Sequence, residues 1–198
     1  MKKIQKVCVY AASSDQLRSV FFEQTALLAQ RLAERNVTVV YGGGGVGLMG
    51  TLATTMLEHG GRVIGIMPHF MKDVEWAHKQ VQEFVFVGDM HERKRRFVED
   101  VDAIIALPGG VGTLEELFEV ITWKKLGLLN KPIIILNTDG FYDPLLVFLE
   151  RMVEEKFLAA LHTRMWHVVN DANEVLAAIE NADPWIDDAI RWAADYKK

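Results

Sequence analysis

Cysteine is almost missing from this chain: one residue, Cys8, in 198. A single thiol excludes an internal disulfide, and its place in the apolar run Val7–Tyr10 reads as core filler, not as a nucleophile. A basic excess is missing too. The net charge is −5, which argues against a duplex nucleic-acid binder. It leaves an anionic small substrate open, because a local positive site does not need a positive protein. No apolar run approaches the ~20 residues of a membrane span. The opening stretch, two lysines before a short apolar run broken by Lys6, is too short for a signal peptide. The expectation is a cytoplasmic protein without nucleic-acid or membrane partners.

What the chain does have is alternation. It is 50% hydrophobic and 25% charged, enough for one compact core. Short buried-type strands are expected at Lys6–Ala11, Val37–Tyr41, Arg62–Met67, Phe84–Val87, Ala103–Leu107, Pro132–Asn137 and Met165–Val169. Amphipathic helices are expected between them, at Phe21–Asn36, Thr51–His59, from Asp89, after Thr113, at Phe141–Lys156 and from Asp171 to Asn181. This pattern predicts an α/β fold: a Rossmann-like, doubly wound parallel sheet with helices on both faces. Residues 1–181 read as a single nucleotide-binding domain. Residues 182–198 read as a helical extension, with Trp185, Ala189 and Trp192 on one stripe, packed on the domain or at a subunit interface.

The chemistry concentrates in Asp102–Lys125. An apolar strand ends in Pro-Gly-Gly, and Gly109, Gly110 and Gly112 precede an apolar helical pattern at Leu114, Leu117, Phe118 and Ile121. A strand, a glycine turn and a helix start together form an anion site. Glu115 and Glu116 are read into the first turn of that helix. A plainer reading of Thr113 and Glu116 is a capping box, which leaves three preceding glycines unexplained. Gly42–Gly50 repeats the logic after the second strand, so two anion-type turns are expected on one sheet edge, where they can converge. Ser13 and Ser14 fall at the same edge, after the first strand. Gly45-x-Gly47-x-x-Gly50 also matches the dinucleotide fingerprint, but it follows the second strand and lacks the acidic ribose ligand. No Lys-Ser/Thr pair follows, so it is not a triphosphate loop.

Helical spacing places Arg93 on the inward face with Met90, Phe97 and Val101. A buried guanidinium wants a carboxylate or a phosphate; the plainer outcome is a salt bridge to one of the glutamates. Glu75 and His78, three apart in the irregular Pro68–Glu83 segment, form a weaker pair.

Three motifs now combine: Pro-Gly-Gly-x-Gly-Thr-x-x-Glu at Pro108–Glu116, Met-x-x-Arg-Lys at Met90–Lys94, and the glycine run Tyr41–Gly50. Together they resemble the "Lonely guy" (LOG) family, phosphoribohydrolases of cytokinin nucleotides often mislabelled as lysine decarboxylases. The resemblance runs from about Lys6 to about Glu180. Ala11 and Ala12 stand where relatives carry Cys-Gly or another small pair. The resemblance implies hydrolysis of the N-glycosidic bond of an adenosine 5′-monophosphate, N6-modified or plain, to free base and ribose 5-phosphate. Arg93 and Glu116 would be catalytic. Glu75, Lys94, the turn Gly109, Gly110, Val111, Gly112, Thr113, Leu114 and Glu115, and Thr122 would hold the nucleotide, with Ser13, Gly43, Gly44, Gly45 and Gly47 beside them. No metal and no cofactor are implied, and family members are usually homodimers.

The residues themselves leave one tension. At ~100° per residue, Glu115 and Thr122 share a side of the helix and Glu116 points away from them, so the choice between the two glutamates stays open. Two other classes remain in view: a non-catalytic carrier of nucleotide or molybdenum cofactor with the same fold, and a nicotinamide-dependent oxidoreductase resting on the formal glycine match.

Overall fold

The structure is a computed structural model that describes residues 3–72, 77–186 and 189. Seven parallel strands form one sheet in the order β4-β3-β2-β1-β5-β6-β7. They are β1 (Lys6–Tyr10), β2 (Thr38–Tyr41), β3 (Val63–Pro68), β4 (Glu83–Val87), β5 (Ala103–Ala106), β6 (Ile133–Leu136) and β7 (His167–Val169). The chain steps outward from β1 to β4, returns to the middle, and steps outward again from β5 to β7. The connections of β1 and β5 therefore leave in opposite directions. That reversal opens a crevice at the carboxyl ends of the two strands, the general ligand position of open α/β sheets.

The connecting helices are α1 (Ser19–Glu34), α2 (Gly47–Glu58), α3 (Met90–Val98), α4 (Val111–Lys125), α5 (Asp143–Glu154) and α6 (Val175–Glu180). Strand side chains alternate between faces. Val7 and Val9 of β1 pack with α1, α2 and α6, whereas Cys8 and Tyr10 pack with α3, α4 and α5. Both faces are covered, so the central strands are apolar throughout: Ile104, Ile105, Ile133, Ile134 and Ile135 are all fully buried. Each such side chain contributes about 1.5–3 kcal/mol. Cys8 is fully buried and burial pushes its thiol well above the usual range, which suits a packing residue.

Local chemistry fixes the helix ends. Asp89 caps α3 by accepting from the Glu92 N–H at 2.8 Å, and the Glu92 carboxylate accepts from the Gly88 N–H at 2.8 Å. Gly60, at φ +70°, ends α2 as expected; the N–H groups of Gly60 and Gly61 close on the carbonyls of Leu57 and Met56. The largest difference from the sequence expectation is at the start of α2. It begins at Gly47, inside the glycine run and not at Thr51, because tertiary contact with the β1 turn overrides low helix propensity. Trp185 and Ala189 are buried on the α4–α5 face; Trp192 lies outside the described residues. Among the described residues, no helix is long and apolar enough to cross a membrane.

Candidate active site

A cavity of about 350 Å3 sits at the β1–β5 reversal. Its walls come from Tyr10 to Ser14 after β1, Gly42 after β2, Met49 of α2, Arg93 of α3, and Gly110 to Thr113 with Glu116 of α4. Both glycine turns reach this cavity, the one after β5 through Gly110 and Gly112 and the one after β2 through Gly42 alone. Gly47, at φ +64°, lies so close to the Ser13–Ser14 backbone that a Cβ would come within 2.5 Å of the Ser14 carbonyl oxygen. Any side chain there would push the turns after β1 and β2 apart.

The turn after β5 is open toward the cavity. Gly110 is the N-cap of α4, with extended backbone and no side-chain cap, and no acidic residue occupies the first turn. The first intrahelical bond runs from the Leu114 N–H to the Gly110 carbonyl at 3.0 Å. The amides of Val111, Gly112 and Thr113 thus have no acceptor within their own helix, and the dipole of α4 favours an anion in front of them. Two sequence expectations are corrected. Thr113 is not a cap but the third helical residue, buried beneath Gly109, whose missing Cβ makes room for the Thr113 hydroxyl. Glu115 and Glu116 consequently fall in the second turn. The helix starts three residues early because Gly110 takes the cap position without a side chain.

Arg93 is buried, 6% exposed, as its spacing predicts. Among the described residues its partners are backbone carbonyls, not the glutamates of the plainer expectation. Nε donates to the Ile66 carbonyl at 3.1 Å and Nη2 to the Gly42 carbonyl at 2.8 Å. Among the described residues, Nη1 meets only the sulfurs of Met71 and Met90, at 3.6 and 4.0 Å, which are weak acceptors. The guanidinium is therefore oriented by backbone, and Nη1 keeps a donor for a stronger acceptor.

Glu116 lines the cavity. Burial raises its carboxyl pKa to about 7, against the opposing pull of Arg93 and with a smaller push from Glu115. A carboxyl poised near neutrality can carry or accept a proton at working pH. Glu115 points elsewhere. It is exposed and pairs with Lys94 at 2.6 Å, and Lys94 also pairs with Glu119 at 2.9 Å. Thr122 sits on the same outer face, its hydroxyl donating to the Phe118 carbonyl at 2.8 Å. Leu114 is half-buried against the core. The angular tension in the sequence is thus real in space: Glu116 faces the cavity, while Lys94, Glu115 and Thr122 face outward.

Of the second turn, the glycine that lines the cavity is Gly42. The structure places Gly43, Gly44, Gly45 and Gly47 one layer back. The Gly43 carbonyl accepts from the His78 N–H at 3.0 Å, Gly44 bridges to Ala77, and Gly45 lies beneath Gly50. His78 stitches this segment down. Its Nδ1 accepts from the Gln80 N–H at 3.3 Å, so its Nε2–H donates to the Thr54 hydroxyl at 2.9 Å. Glu75 lies outside the described residues. Sequence reasoning missed Tyr10, Gly42 and Met49 as wall residues. Tyr10 and Met49 carry no pattern apart from core packing, and Gly42 was hidden by its more conspicuous neighbours.

A second concavity, about 320 Å3, lies at the opposite edge of the sheet. It is lined by Lys3, Lys124 and Lys131 together with Asp102, Glu180 and Asp183. The carboxyl ends of α4 and α6 point that way, so the helix dipoles disfavour an anion there, and no glycine turn opens onto it.

Comparison with known proteins gives the family and the fold. Residues 49–179 match the sequence model of a family described as "possible lysine decarboxylase". The chain is 39% identical over 188 residues to the cytokinin riboside 5′-monophosphate phosphoribohydrolase LOG2 of Arabidopsis thaliana, covering 95% of this chain and 88% of that one. It is 42% identical over 175 residues to the probable cytokinin riboside 5′-monophosphate phosphoribohydrolase LOGL1 of Oryza sativa subsp. japonica, covering 88% and 78%. Among solved structures, the molybdenum cofactor binding protein of Rippkaea orientalis superposes with a TM-score of 0.67 at 22% identity, covering 91% of this chain and 97% of that chain. At that identity the likeness shows the fold alone.

Proposed function

The chain belongs to the LOG family, the one whose sequence model bears the lysine decarboxylase description, and from that membership we propose that it hydrolyses the N-glycosidic bond of adenosine 5′-monophosphates. The products are a free base and ribose 5-phosphate. The observation that carries the reading is a cavity joining three unlike groups: bare helix-start amides, a backbone-held guanidinium, and a carboxyl raised to about 7.

Each group has a part. Breaking this bond develops positive charge on the ribose, as in glycoside hydrolysis. The Glu116 carboxylate stabilises that charge or takes a proton from the attacking water. The amides of Val111, Gly112 and Thr113 receive the 5′-phosphate. Arg93, fixed by two carbonyls, offers Nη1 to the sugar phosphate. Binding energy at the phosphate then holds the ribose against Glu116.

The same reading includes a homodimer in the cytoplasm. Glu115, Lys94 and Thr122 face away from the cavity, so they reach a nucleotide across a subunit boundary. Val147 and Phe148 of α5 present apolar surface for such a boundary. Residues 1–181 serve as the nucleotide-binding domain, with residues 182–198 as its extension. The carrier alternative has only the shared fold behind it. Incubation with adenosine monophosphate and an N6-prenylated analogue tests the reading: the protein releases free base, and Glu116→Gln does not.

A further inference from the structure

A residue outside the cavity is hydrogen-bonded to the peptide that precedes the turn the phosphate would meet. Leu107 is the last residue before Pro108 and Gly109, and its N–H still donates to the Tyr10 carbonyl at 2.9 Å, continuing the β1–β5 ladder. Its own carbonyl lies beyond the β5–β6 ladder, whose last pairing is Ala106 with Ile135. The acceptor is taken instead by the Tyr142 hydroxyl, at 2.7 Å.

Tyr142 is 1% exposed and is held by further contacts of its own. Its N–H donates to Asn137 Oδ1 at 2.7 Å, and Asn137 Nδ2 donates to Asp143 Oδ1 at 2.7 Å and Asn170 Oδ1 at 3.3 Å. Its ring stacks edge-on with Phe141. The ends of β6 and β7 and the start of α5 are thus tied through one phenol to the peptide that precedes the glycine turn. Glycines give that turn freedom; at its upstream end the Leu107 peptide is held on both sides, by the Tyr10 carbonyl and by the phenol.

We propose that Tyr142 is a positioning residue for the active site, setting the departure angle of Pro108–Gly110 and with it the amides of Val111, Gly112 and Thr113. The proposal rests on the phosphoribohydrolase reading given above. Its effect falls on ground-state capture of the phosphate, so it is expected in KM more than in kcat.

The test is Tyr142→Phe, which deletes one oxygen and keeps the ring. Three quantities are measured beside wild type: kinetics with adenosine monophosphate, binding of ribose 5-phosphate by calorimetry, and amide exchange of a peptide spanning residues 107–113. The expected result is a KM raised about five- to tenfold, the range of one lost hydrogen bond. Ribose 5-phosphate binding weakens in parallel, and exchange quickens in the turn but not in β1. A lowered unfolding midpoint with unchanged KM, binding and turn exchange overturns the proposal and leaves the enzymatic reading standing. Wild type that neither turns over the nucleotide nor binds ribose 5-phosphate overturns both. If Tyr142→Phe does not fold, Asn137→Ser, which loosens the Tyr142 anchor, is judged by the same three measurements, with the same outcomes supporting or overturning it.

Discussion

Arg93 and Glu116 look into one cavity, yet among the described residues no ion pair joins them. The guanidinium gives Nε and Nη2 to the Ile66 and Gly42 carbonyls. It lowers the carboxyl pKa, but less than burial raises it, so Glu116 stays near 7. A close pair would hold the carboxylate ionised and occupied. Separation leaves both groups able to act on a ligand between them.

Glu116→Gln keeps the shape of the side chain and removes the charge and the proton site. Turnover is expected to fall by about 10²–10⁴-fold, the usual contribution of such a group, with the fold intact by circular dichroism. Unchanged turnover removes Glu116 from the mechanism.

The pH dependence of stability has a definite sign. Between the ordinary carboxyl value of 4.5 and about 7, folded Glu116 holds a proton that the unfolded chain has released. Stability contributed by this group therefore falls as pH rises through that window. Glu116→Gln is expected to be more stable than wild type by about 3 kcal/mol near pH 8. His78 runs the other way: burial lowers its pKa, so the unfolded chain protonates first as the solution is acidified, and stability is lost on the acid side. Denaturant unfolding at a series of pH values checks both, and a Glu116→Gln curve parallel to wild type contradicts the first.

Activity follows the same carboxyl in the opposite direction. If the carboxylate is the working form, kcat/KM rises with pH through about 7. A profile flat from pH 5 to 9 contradicts that assignment.

Arg93→Lys keeps a positive charge and loses the planar fork. One ammonium cannot reproduce the bonds to Ile66 and Gly42 and still present a donor to the cavity. The expected loss in kcat/KM is about 10²-fold or more. Arg93→Ala also strands two buried carbonyls, at a cost of about 2 kcal/mol. Steady-state kinetics beside thermal melts separates the two effects.

Two glycine substitutions discriminate ligand contact from folding. A Cβ on Gly112 meets nothing within 4 Å, so Gly112→Ala is expected to fold and to gain about 0.5–1 kcal/mol in helix stability. Because Gly112 lines the cavity at the proposed phosphate position, KM is expected to rise at least about tenfold, roughly one lost charge-assisted contact. Gly47→Ala, at φ +64° and 2.5 Å from the Ser14 oxygen, is expected to lose stability. Gly112→Ala with unaltered KM contradicts phosphate binding at that turn.

Much of this was legible in the sequence, for physical reasons. Short apolar runs ended by Pro and Gly gave the parallel sheet, and spacing at i, i+3 and i+7 put Arg93 inside. The carbonyl partners of Arg93 were not legible, because backbone acceptors leave no mark in residue identity. The start of α4 was misjudged because a Thr-x-x-Glu spacing mimics a cap that Gly110 takes without a side chain. The role of Tyr142 left no trace either, since a buried tyrosine reads as core until its hydroxyl is seen on the Leu107 carbonyl.

Product analysis after incubation with adenosine monophosphate and its N6-prenylated analogue goes furthest toward deciding the matter. Free base and ribose 5-phosphate are expected in equal amounts from at least one of the two. Recovery of both nucleotides intact, from protein shown to be folded, contradicts it.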